Sequence, residues 1–80
     1  MTRRAHITPS PAALAALAGG LATPHTLAAT AIDRRARARR LRRSLLFGAA
    51  RDLDEAAAGI EAALRLHADR LAGFKPEDAR

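Results

Sequence analysis

LFGAARDLDEAAAGIEAALRLHADRLAGF, residues 46–74, is the stretch that decides what kind of fold this chain can make. Within it Leu46, Ala50, Leu53, Ala57, Ile60, Leu64, His67, Leu71 and Phe74 recur at steps of four and three. That is a heptad seam, and a seam of this length suits a helical hairpin or a short coiled coil. The pattern predicts a helix over residues 52–73, an acidic amphipathic segment within 52–74. Gly48 reads as a break ahead of it. Asp52, Asp54 and Glu55 would then occupy its first turn, where the helix dipole favours acids. Glu61 and Arg65 form an i, i+4 pair on the outer face. Gly73 and Pro76 stop the helix, and residues 75–80 make a polar tail.

Upstream, two further start signals appear. Ser10-Pro11 supplies a cap and a first-turn proline, so a helix is expected over residues 11–22, with Leu14, Leu17 and Leu21 on one stripe. Gly19-Gly20 weakens or ends it. Thr23-Pro24 repeats the device and predicts a second helix over residues 24–47. Leu27, Ala31, Ala38, Leu41 and Leu45 share one stripe of that helix, with Arg34 beside it. Residues 1–8 alternate as a short strand would, with Ala5 and Ile7 opposite Arg4, His6 and Thr8. The organisation expected is an arm (residues 1–10), one small helical domain (11–74, basic over 11–51) and a tail (75–80).

Composition agrees with an all-helical reading. Ala supplies 22 of the 80 residues and Leu 11, whereas Val, Trp, Tyr and Cys are absent. The large apolar residues (Leu, Ile, Phe and Met1) number 17, too few for a deep core, so dimerisation or membership of a complex is expected to supply further burial. Disulfides and thiolate metal sites are excluded. His6, His25 and His67 share no i, i+4 face, and no glycine loop is followed by the Lys-Ser/Thr of a phosphate cradle. No catalytic residue, metal or cofactor is therefore expected, and the chain reads as a non-enzymatic protein. Thr2-Arg3-Arg4 before residues 5–32 has the outline of an export signal. That stretch is too rich in Ala, Gly, Thr and Pro to make an apolar core, so the expectation is a cytoplasmic protein with no membrane partner.

Charge carries the functional argument. The net charge is +6, but residues 1–51 hold ten arginines against Asp33 alone, while residues 52–80 hold seven acids against four cations. Arg34, Arg35, Arg37, Arg39, Arg40, Arg42 and Arg43 crowd one ten-residue stretch and repel one another around the helix. An anionic partner would relieve that repulsion. The tract has no interleaved aromatic residues, so base stacking on single strands is disfavoured and phosphate contact with duplex DNA or structured RNA fits better. The expected nucleic-acid contacts are these seven arginines together with Arg3 and Arg4. The expected protein interface, with a partner or a second copy, is Leu46, Leu53, Ile60, Leu64, His67, Leu71 and Phe74. The rival reading is a helical adaptor that binds its partner through this seam while the arginines pair with acids.

Thr23-Pro24-His25-Thr26-Leu27-Ala28-Ala29-Thr30-Ala31-Ile32 resembles the start of the second helix in ribbon-helix-helix repressors and antitoxins. In that family a Ser/Thr cap is followed by a Leu and an Ala-Ile pair. Ile7-Thr8-Pro9 ahead of Leu14 and Leu17 resembles the end of the ribbon leading into the first helix. The likeness covers residues 4–46. It implies paired strands whose outward Arg4, His6 and Thr8 read bases, with Thr23 touching phosphate. It also implies a C-terminal helix, here residues 52–74, that wraps a partner protein. The chain departs from the family in its short strand, its early glycines and its long arginine tract.

Overall fold

The computed structural model describes residues 7–73. Three helices follow one another: α1 (Pro11–Ala18), α2 (Pro24–Arg43) and α3 (Phe47–Gly73). The mainly helical class expected from composition is the class observed, with no strand among the described residues. Ile7 and Thr8 have no regular structure, and the remainder of the strand reading, residues 1–6, lies outside the described residues.

Both proline-bearing starts form as the sequence dictates. The Ser10 side chain accepts a hydrogen bond from the Ala13 N–H, with Pro11 in the first turn. Thr23 and Thr26 form a reciprocal capping box at the head of α2, each side chain accepting from the other's backbone N–H at 3.1 Å.

The helix ends differ from expectation at three places. α1 stops at Ala18 instead of residue 22: Gly20 turns left-handed (φ 74°), and its N–H and that of Leu21 donate back to Leu17 and Ala16. This is a Schellman turn, with glycine at the one position that needs positive φ. α2 stops at Arg43 instead of residue 47, in the same turn: the Leu45 and Leu46 N–H groups donate to Arg42 and Leu41. Here the left-handed residue is Leu45, at φ 63°. α3 begins at Phe47, ahead of the expected residue 52, because the Ala50 N–H already reaches the Leu46 carbonyl at 3.0 Å. Gly48 sits in that first turn, where N–H groups lack intrahelical acceptors anyway, so it breaks nothing. Asp52, Asp54 and Glu55 consequently lie beyond the first turn, and their expected place at the dipole is corrected.

α2 folds back antiparallel along α3, and alanines line the contact. Ala31, Ala38, Ala50 and Ala57 are all buried, seven residues apart on each helix. Such small side chains let two backbones approach closely over several turns. Ile60 joins Ala31 and Ala57 in the core, with Leu27 and Leu64 packed against them. α1 lies across the middle of α3 and buries Ala13 and Leu17. The Ser10 N–H donates to the Gly59 carbonyl at 2.9 Å, which ties the start of α1 to the middle of α3. Among the described residues no large side chain is fully buried. Leu21, Leu45, Leu46 and Leu71, each placed on an apolar stripe by its spacing, are exposed.

Candidate nucleic-acid interface

α2 is built to hold a basic second half. Arginine is a good helix former, and Arg40, Arg42 and Arg43 stand in the last turn, where the partial negative charge of the helix end favours cations. Because Ala31 and Ala38 must face α3, the arginines are sorted by their angle from that line. Arg35 and Arg42, seven residues apart, fall on one flank of it. Arg34 falls on the other flank. Arg37, Arg39, Arg40 and Arg43 point away.

The flank arginines are neutralised from within. Arg35 grips Glu61 in a two-pronged ion pair, Nε donating to Oε2 at 2.9 Å and Nη2 to Oε1 at 2.7 Å. Its Nη1 also reaches Asp54 Oδ1 at 3.4 Å. Arg42 donates through Nη2 to the other oxygen of Asp54. The hydrogen bond to Arg35 holds the Glu61 carboxyl below its usual pKa, helped by the nearby charges of Arg35 and Arg65 and opposed by partial burial. The same hydrogen bond raises Arg35, partial burial opposing it and the charges of Glu61 and Asp54 adding to it. The expected Glu61–Arg65 outer pair is corrected: Glu61 turns toward α2, and its hydrogen bonds go to Arg35.

On the outer face Arg37 has an acid in reach, Asp33 one turn back at 3.4 Å. Arg39, Arg40 and Arg43 are exposed and form no ion pair among the described residues. Arg51, one turn into α3, is likewise exposed. Arg34 lies half-buried along a cleft of about 240 Å³ shared with Ser10, Ala13, Leu27, Thr30 and Ile60, and its buried Nε has no hydrogen-bond partner among the described residues. The tract is thus divided: two arginines latch the hairpin, one lines a cleft, and the others face solvent.

Of the seam residues, Ile60 and Leu64 pack within the chain against α2, Leu53 and His67 are half-buried, and Leu46 and Leu71 are exposed. Arg3, Arg4, His6 and Phe74 lie outside the described residues. The Thr23 hydroxyl is taken up by the cap of α2. Sequence reasoning missed the pairing of Asp54 and Glu61 with the tract. Their spacing was the available signal, since two acids seven apart on α3 meet two arginines seven apart on α2, flanking the seam as charges flank a coiled coil. It also missed that Leu45, Leu46 and Phe47 form an exposed apolar corner between the two helices.

Among the described residues no group of His, Asp and Glu side chains could hold a metal ion, and no helix is long and apolar enough to cross a membrane. Compared with known proteins, the chain matches no family model, no curated protein and no solved structure.

Proposed function

We propose that this chain is a small nucleic-acid-binding protein that grips backbone phosphates with the outer face of α2. The observation that carries the reading is the division of the arginines. Acids on α3 are matched to Arg35 and Arg42, yet none is supplied for Arg39, Arg40 and Arg43, which stand together on exposed helix within about 6 Å of axis. A solvated charged face normally mixes signs. This one gathers guanidinium groups, whose planar forks suit phosphate oxygens. With no aromatic side chain in the arginine tract, duplex DNA or structured RNA is a better match than a single strand. Arg37 and Arg42 border the same surface, and Arg3 and Arg4 would add a second anchor. The ribbon-helix-helix likeness of residues 4–46 points to the same polymer, to a cytoplasmic setting and to action as a dimer.

The test is the affinity for a fluorescently labelled duplex across 50–200 mM salt. Replacing Arg39, Arg40 and Arg43 together by Gln is expected to weaken binding alike for all base sequences. Each lost phosphate contact should also flatten the plot of log affinity against log salt, by about 2–3 in total. Unchanged affinity in the triple variant overturns the reading.

The exposed leucines favour a second reading, a non-enzymatic adaptor or accessory subunit. Leu46 and Leu71 stay free of the hairpin, so a partner helix could use these ends of the seam. In that case Leu71→Asp abolishes complex formation, while the arginine variant does not.

A further inference from the structure

Leu45, Leu46 and Phe47 are three consecutive large apolar residues at the α2–α3 corner, 72%, 53% and 59% exposed. Their exposure is not a by-product of an unspecified loop. The corner is a fully hydrogen-bonded Schellman turn, and its left-handed position holds Leu45 where α1 uses Gly20 for the same turn. A leucine in that conformation is strained, since its Cβ crowds the following carbonyl, and glycine would remove the strain. The turn therefore keeps a side chain at a local cost to stability and holds it in solvent. Cations border the corner on both helices, Arg43 just before it and Arg51 just after it, while Arg42 is already paired with Asp54.

Resting on the nucleic-acid reading above, we propose that the Leu45–Phe47 corner is an apolar wedge that enters a base step of duplex DNA and kinks it. The flanking arginines would hold the phosphates on either side. Side chains of this class, Phe and Leu among them, unstack base steps from the minor groove and bend the duplex. Charge complementarity selects a polyanion, since the same corner of a second copy would set Arg43 and Arg51 against their own counterparts. The layout selects a groove over a flat anionic surface. Arg39 and Arg40 continue the charge back along the α2 shaft, away from the corner. A groove whose phosphates rise beside the wedge meets those side chains, whereas a planar lipid surface touched by the corner leaves them in water.

The probe is a 25-base-pair duplex labelled at both ends, read by energy transfer, with a matched duplex carrying a central two-base bulge. The comparison is wild type against Leu45→Gly combined with Phe47→Ser, a pair chosen because the glycine relieves strain; circular dichroism confirms that both fold. Wild type is expected to shorten the end-to-end distance and to prefer the bulged duplex roughly tenfold, because the bulge is already unstacked. The variant is expected to bind the straight duplex with an unchanged salt slope, to leave it unbent and to lose the preference. Equal bending by both proteins, or binding by wild type without bending, overturns the wedge and leaves the arginine reading standing. No salt-sensitive duplex binding by wild type overturns both. Tighter binding of wild type to phosphatidylglycerol vesicles than to either duplex, lost in the variant, overturns the wedge in favour of a membrane contact.

Discussion

Leu45 shows how one residue can end a helix against its own preference. The Leu45 and Leu46 N–H groups satisfy the carbonyls of Arg42 and Leu41, so the turn is complete in hydrogen bonds while its left-handed residue is the wrong type for it. Leu45→Gly removes the Cβ clash and is expected to raise stability by about 1 kcal/mol, after allowing for the greater freedom of glycine in the unfolded chain. Urea unfolding followed by circular dichroism measures it, and a destabilised variant would mean the leucine packs better than its exposure indicates. The sequence signal for this turn was poor because glycine normally marks it, and the nearest glycine, Gly48, stands inside the next helix. At α1 the same turn carried its glycine, so the stop was legible there and only its register was misjudged.

At the scale of the element, α2 and α3 are joined by two sets of residues that repeat every seven positions. Ala31 and Ala38 meet Ala50 and Ala57 along the contact line, while Arg35 and Arg42 meet Asp54 and Glu61 beside it. The alanines bury little area each, so the contact depends on closeness and not on side-chain bulk. Ala57→Leu forces the helices apart and is expected to cost about 1–3 kcal/mol, read as a lower midpoint in urea. Retained stability would show that the line tolerates a wider spacing. The apolar seam on α3 was legible because its steps of three and four are local to one helix. Its charged flank was not, because an acid on α3 gains meaning only when α2 presents an arginine opposite it.

For the whole molecule, the described helices form a layer about 15 Å thick, and among the described residues no large side chain is fully enclosed. Stability of such a chain is small and sensitive to its few polar contacts. Glu61 is held below its normal pKa in the folded state. Its contribution is therefore fully present above the unfolded carboxylate value of about 4.3 and is lost as pH falls through the lower folded value. Arg35 shifts upward, so its share is lost only in strong alkali. With both partners 38% exposed, solvent screens the pair, and it is worth about 1 kcal/mol or less. Thermal unfolding should place wild type above Glu61→Gln at pH 7, with the gap closing as the pH falls through the lowered folded value. A gap that persists in acid would mean that Glu61 acts by packing and not by charge. By itself the sequence determined the helical class, the two capped starts, the heptad seam and the excess of arginine, because propensity, caps and periodicity are properties of neighbouring residues. Only the tertiary structure decided which arginines are neutralised and which stay free, and that an apolar corner is left in solvent, because each depends on where α3 lies against α2.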